Sequence, residues 1–204
     1  VLTLYGSTPS GNCWKVRQIL ELNGHRYRWV EIDANGGATR TAEFLRMNPN
    51  GKVPLVELDD GAHITESNAI LAHFAEGTAW LPPAGLPRTR VFEWLFFEQY
   101  SHEPYVAVAR NWIRYLKAKD RYADRLPDIW ERGHRALGVM EARLGAHPWL
   151  TDAGMTVADI ALFGYTHVAE EGEFDLGRYP GVRAWLDRVH AHPGIRPISA
   201  PHLD

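Results

Sequence analysis

Apolar and polar positions in the first third of the chain switch between strand and helix periods. Leu2 to Tyr5 alternate as a short strand, and Gly6-Ser7-Thr8-Pro9-Ser10-Gly11-Asn12 has the composition of a loop. Cys13, Val16, Ile19 and Leu20 then recur at helical spacing, with Lys15, Arg17, Gln18 and Glu21 on the other face and Asn23-Gly24 as a stop. Arg28 to Ile32 alternates again, and the intervening helix makes this strand parallel to the first through a right-handed crossover. Gly36-Gly37 opens a loop, Thr41 to Leu45 forms a short helix, and Pro54 to Thr65 folds as an antiparallel pair about Asp59-Asp60-Gly61. Another helix begins at Glu66-Ser67.

Three prolines and two glycines between Glu76 and Pro87 break both periods. Residues 77–87 are therefore expected as a linker between a domain over 1–76 and a second over 88–204. The second domain reads as helical throughout. Val91, Trp94, Leu95 and Phe96-Phe97 begin a long helix that Pro104 bends or resets, and Val106, Ala109, Ile113 and Leu116 continue its apolar side. Further helices are expected over 127–144, 157–168 and 182–191. Thr156-Val157-Ala158-Asp159 has the form of a capping box with Asp in place of the usual Glu, and Met155 precedes it as a hydrophobic staple. The fold class expected is an α/β thioredoxin-like N-terminal domain, βαβ-α-ββ-α around a mixed four-stranded sheet, followed by an all-α C-terminal domain.

Composition narrows the function classes. With 204 residues and 45% hydrophobic content the chain can build an ordinary globular core. A formal net charge of −3 argues against nucleic acid or an anionic membrane as the main partner. No apolar run approaches the roughly 18 residues that span a bilayer, and Val1 to Tyr5 enters as a strand without a charged leader. A single cysteine, Cys13, precludes an internal disulfide and suits a reducing compartment, so a cytoplasmic protein is expected. Ten histidines invite a metal reading, yet His-Glu-x-x-His is absent and His190-x-His192 has no carboxylate nearby in sequence, so no metal is expected.

The most informative stretch is Asn48-Pro49-Asn50-Gly51-Lys52-Val53-Pro54-Leu55-Val56-Glu57, with Glu66-Ser67-Asn68-Ala69-Ile70 close behind. Pro54 has no N–H for a sheet ladder and belongs at a strand entrance, where an isolated Val-Pro bond is ordinarily trans. Val-Pro followed twelve positions later by Glu-Ser at a helix start resembles the glutathione-binding motif of the soluble glutathione S-transferases, bacterial members included. The Thr-x-x-Asp box in the second domain extends that resemblance over nearly the whole chain.

The resemblance implies that Val53–Pro54 is cis, that Val53 binds the cysteinyl part of glutathione through its backbone, and that Glu66 and Ser67 hold the γ-glutamyl end. It also implies that Thr39 and Lys52 reach the glycine carboxylate, with Arg40 able to substitute for Thr39. For the thiol, the resemblance offers two donors. Ser10 stands three before Cys13, as the serine of theta- and delta-like transferases does. Asn12 falls where another bacterial group carries Thr-Pro-Asn. Trp14 in place of a frequent Arg and Asn12 in place of a proline leave both open. Cys13 itself reads as a small side chain packed on the inward stripe of its helix, with a redox role as the alternative.

A thiol with a pKa near 8.5 is only a few per cent ionised at pH 7, and a shift of about two units corresponds to roughly 2.7 kcal/mol. One hydroxyl bond to a charged acceptor, about 1.5–3 kcal/mol, with the positive end of a helix adding about 0.3–1 kcal/mol, can supply it. The function that the resemblance implies is a glutathione S-transferase that uses glutathione as co-substrate against a small hydrophobic electrophile. Tyr105, Arg110 and Trp112, in an aromatic and polar stretch of the helical domain, are candidates for the electrophile pocket. The resemblance further implies a homodimer. A glutathione-dependent disulfide or peroxide reductase and a non-catalytic binding module are the alternatives.

Overall fold

A computed structural model describes residues 1–202, which divide into two compact units. The first comprises Val1–Glu76 with the described residues from Gly194 onward, the second Gly77–Pro193.

In the first unit β1 (Leu2–Gly6), α1 (Gly11–Leu22), β2 (Tyr27–Glu31), α2 (Ala42–Met47), β3 (Leu55–Glu57), β4 (His63–Ile64) and α3 (Ser67–Ala75) follow in the expected order. The sheet runs β2-β1-β3-β4. β1 and β2 are parallel from Leu2 opposite Tyr27 to Gly6 opposite Glu31, whereas β3 is antiparallel to both β1 and β4. This is the mixed sheet of a thioredoxin-like domain. Leu4, Leu55 and Val56 from the strands, Ile19 and Leu20 from α1, and Ile70 and Leu71 from α3 are all fully buried. The long side chains of β2 need room at the strand end: a Cβ on Gly6 would sit 2.4 Å from the Trp29 ring, so only glycine lets that indole lie across β1.

The end of the chain departs from the sequence reading, which carried the helical domain on to residue 204. Residues from Gly194 onward belong with the first unit. The reason lies on the polar side of α1, where Lys15, Arg17 and Gln18 are buried rather than solvated. Buried donors need acceptors, and the terminal segment supplies carbonyls. Trp14 Nε1 donates to Arg196 O at 2.8 Å, Gln18 Nε2 to Gly194 O at 2.6 Å, and Arg17 to Pro197 O and Ala200 O at 3.0 and 2.9 Å. In return Arg196 N donates to Gln18 Oε1 at 2.8 Å.

The second unit is helical. α4 (Leu86–Phe97) begins inside the stretch expected as linker, because Pro87 sits in the first turn, where a missing N–H costs nothing. α5 (Glu103–Arg110) continues the same rod, and Pro104 is accommodated by a π-helical turn over Glu98–His102 in which Glu103 N bonds Glu98 O. A second π-helical turn, Asn111–Tyr115, ends the rod. α6 (Leu126–Leu144), α7 (Val157–Thr166) and α8 (Pro180–His190) complete the unit, and every residue of α7 is buried. The capping box is present. Asp159 accepts from Thr156 N at 2.9 Å, while Thr156 Oγ1 accepts from Ala158 N at 3.3 Å. The same carboxylate also receives Leu150 N at 3.2 Å and Trp185 Nε1 at 2.9 Å, so one residue ties α7, α8 and the preceding loop together.

Two stability outcomes follow. Asp159→Ala removes the shared acceptor of buried donors and should cost about 3–5 kcal/mol in urea unfolding. His167 lies against Phe163, rings 4.6 Å apart, and its Nδ1 contacts Phe163 O at 2.7 Å. Burial lowers its pKa from the ordinary 6.5 to about 4. Between those values the unfolded chain holds the extra proton, so this contribution to stability is present above pH 6.5 and is lost as pH falls towards 4. The loss should approach about 3 kcal/mol, read as the difference in unfolding free energy against pH between the wild type and His167→Phe, whose profile lacks this slope.

Candidate active site

The N-terminus of α1 is the focal point of the first unit. Ser10 caps it in an extended conformation, its Oγ accepting from Cys13 N at 3.3 Å, and the first turn carries no acidic side chain. The Ser10 side chain thus stands at the mouth of the helix, where it also acts on the Cys13 thiol. The positive end of the helix dipole favours an anion in front of this cap.

Asn12, two residues after the cap, is held from α3: Ser67 Oγ donates to Asn12 Oδ1 at 3.2 Å. The Ser67 hydroxyl, at the first position of α3, thus reaches across to α1. With Oδ1 held by Ser67, the NH2 of the amide lies on its opposite side. Ser10 as the cap and Asn12 in the first turn stand at the same helix start, and Ser67 contacts Asn12 there.

Cys13 lies just behind them and is fully buried, its Sγ accepting from Ser7 N at 3.3 Å. Burial pushes this thiol up to about 11, although its contacts with Ser10 and Ser7 pull the other way. It is protonated near neutrality, which suits the packed role and not that of a nucleophile.

Glu66 precedes α3 with φ 64° and ψ 109°, a conformation a non-glycine residue rarely holds, and its side chain makes no cap bond. Such local strain, roughly 1–3 kcal/mol, is characteristic of functional positions. Asn50 Nδ2 donates to Glu66 Oε1 at 3.4 Å, joining it to the Asn-Pro-Asn-Gly turn. That turn is organised by Asn48, which accepts from Asn50 N at 3.1 Å and donates to Lys52 O at 2.7 Å. The Val53–Pro54 bond that follows is cis.

Of the residues read for a carboxylate, Arg40 and Lys52 are exposed, whereas Thr39 is only 5% exposed. Thr39 O and Arg40 crowd the left-handed Gly51, φ 63°, where a Cβ would meet them at 3.0 and 2.6 Å, and Arg40 Nη1 donates to Asn50 O at 3.3 Å. Arg40 is thereby the outward-facing member of the pair.

In the second unit the three electrophile candidates have separate surroundings. Tyr105 lines a cavity of about 280 Å³ with Phe97, Tyr100 and Arg132, whose guanidinium lies 5.7 Å from its ring centre. Trp112 stacks on Tyr122 at 4.0 Å, with Arg125 at 4.9 Å from its ring centre. Arg110 is 3% exposed and bonded at 2.7 Å to both Glu171 and Tyr115, a framework role that a buried guanidinium needs to offset its desolvation. Asn48, Asn50 and Glu31, which organise the turn and the first loop, were missed. Asn48 and Asn50 carried a signal in their turn motif, but Glu31 carried none. No cluster of three or more metal-ligating side chains occurs among the described residues.

Residues 9–76 match the family model for the glutathione S-transferase N-terminal domain, and residues 108–188 match that for the C-terminal domain. A crystal structure of a glutathione S-transferase from Xanthobacter autotrophicus Py2 is 57% identical, superposing with a TM-score of 0.95 over 98% of this chain and 97% of that one. Ure2p in complex with glutathione is 26% identical, with a TM-score of 0.83 over 95% of this chain and 96% of that one. The disulfide-bond oxidoreductase YfcG of Escherichia coli is 28% identical over 93% of this chain and 89% of its own length.

The buried thiol gives this site a direct check. Native protein near pH 7.5 should resist alkylation at Cys13 and react fully after denaturation, as counted by mass spectrometry after iodoacetamide.

Proposed function

Because the chain belongs to the glutathione S-transferase family, we propose that it binds glutathione in the first unit and holds the sulfur as a thiolate before α1 for attack on an electrophilic carbon. The observation that carries this reading is the cap itself: Ser10 is the N-cap of α1, Ser67 donates to Asn12 in the same first turn, and that turn carries no acidic residue. Cys13 is fully buried and its thiol is pushed up to about 11, which supports the tripeptide's sulfur as the reacting one. The thiolate forms a carbon–sulfur bond while the leaving group departs with the bonding electron pair, and no protein base is required.

The remaining roles rest on the motif. Val53, beside Pro54, is proposed to bond the cysteinyl backbone, and Glu66 with Ser67 the γ-glutamyl end, a reading to which the strained Glu66 backbone lends support. Lys52 and Arg40 are proposed for the glycine carboxylate, with Thr39 backing Arg40 from inside. Tyr105 and Trp112 are the proposed electrophile contacts, whereas Arg110 is engaged by Glu171 and Tyr115. A cytoplasmic homodimer completes the proposal. Phe96 and Tyr100, four apart and 74% and 83% exposed, give the second unit an aromatic face suited to a second copy.

Likeness to a disulfide-bond oxidoreductase favours a second reading, in which the same glutathione thiolate attacks a disulfide sulfur and displaces the other as a thiolate. Turnover of a chloronitroaromatic measured beside turnover of a mixed glutathione disulfide separates the two. A protein that binds glutathione, leaves its thiol pKa at the free value and turns over neither substrate would be a binding module.

Ultraviolet titration of bound glutathione should show a thiol pKa well below the free value. Ser10→Ala should raise it by about one to two units, the equivalent of a bond worth about 1.5–3 kcal/mol. An unmoved midpoint would transfer the donor role to Asn12, where Asn12→Ala would then carry the shift. Phe96→Asp with Tyr100→Asp should convert a dimer to monomers in light scattering.

A further inference from the structure

We propose that Glu31, at the end of β2, is a positioning residue for the Ser10 hydroxyl, holding the loop between β1 and α1 through Thr8, and that His202 closes this clamp. The inference rests on the reading of Ser10 and Asn12 as thiolate donors.

Backbone bonds turn the loop back on itself. Ser10 N turns back to Ser7 O at 2.9 Å, and Ser7 N meets Cys13 Sγ at 3.3 Å. Thr8, between them, is tied to the neighbouring strand by both its donors: its N–H reaches Glu31 Oε1 at 2.9 Å and its hydroxyl reaches Glu31 Oε2 at 2.7 Å. Trp29 Nε1 also donates to Oε2, at 2.8 Å. Three donors on one carboxylate, two from the same loop residue, make a charge-assisted clamp with a defined geometry, which a surface ion pair between two long side chains lacks.

The clamp has a fixed base and a cover. Trp29 is seated over Gly6, the last residue of β1, where no side chain fits. Its other partner is the His202 ring, stacked at 3.9 Å and 14°. His202 Nε2 lies 3.3 Å from Thr8 Oγ1. The single proton of that hydroxyl is given to Glu31, so the contact requires His202 to carry a proton on Nε2 and donate it. The segment that satisfies the buried face of α1 thereby also touches the loop that leads into the same helix.

A purely stabilising surface network would loosen the whole unit when cut, whereas a positioning clamp loosens the loop and degrades the thiolate without displacing the tripeptide. Hydrogen exchange in the full chain without glutathione reads the first part, and ultraviolet titration of bound glutathione reads the second. Glu31→Ala and Thr8→Val should each speed exchange of amides in 7–13 by about tenfold or more while β1 and α3 stay protected. They should raise the bound thiol midpoint by about half to one unit, with affinity for glutathione held within about threefold where the thiol is protonated. Thr8→Ser, which keeps the hydroxyl, should restore wild-type values. His202→Ala should move both readouts in the same direction by less.

Wild-type exchange in 7–13 of the Glu31→Ala protein would overturn the proposal, and so would a loosened loop that leaves the thiol midpoint unmoved. Failure of the underlying reading looks different, because the unmutated protein would then leave the bound thiol at its free pKa. In that case the proposed role of Glu31 towards sulfur falls with it.

Discussion

An α-helix leaves its first N–H groups without partners inside the helix, and the way α1 meets that constraint shapes the first unit. Ser10 takes the Cys13 N–H and keeps a hydroxyl at the mouth of the helix. Behind the cap, the small Cys13 side chain fills the inward position and remains neutral because burial makes its thiolate costly. A helix start that is electropositive, carries a hydroxyl and holds no charged sulfur of its own is suited to stabilising the sulfur of another molecule.

The rest of the unit serves to hold that helix start in place. The parallel β1–β2 pair sets the direction in which the chain enters α1, and Ser67 from α3 fixes the Asn12 amide from the side. The long face of α1, with buried Lys15, Arg17 and Gln18, is completed by carbonyls from residues 194, 197 and 200. The buried Arg17 and Gln18 are tolerated because these carbonyls accept from them, and each such pairing makes the orientation of α1 more specific.

In the helical unit a single buried carboxylate plays a comparable organising role. Asp159 gathers donors from Thr156, Leu150 and Trp185, so the start of α7 cannot shift without leaving several buried polar groups unpaired. Arg110 does the same for the end of α5 through Glu171 and Tyr115. An arginine in an aromatic stretch looks from sequence like a ligand contact, and its burial assigns it to the framework.

Periodicity and turn chemistry were enough to read the element order, the mixed sheet, the helical second part and the capping box at Thr156, because each depends on residues close together in the chain. The glutathione motif was legible for the same reason, its residues lying within one strand-turn-strand-helix stretch from Asn48 to Ile70. Pairings distant in sequence were not legible: Ser67 on Asn12, Glu31 on Thr8, His202 on Trp29, and the terminal segment along α1. Glu31 reads locally as an ordinary polar residue ending a strand, and nothing in its neighbours says that a loop 23 positions earlier will meet it. Local sequence thus determined which groups stand at the helix start, and only the folded chain decided what holds them there, since side chains choose their partners by proximity in space.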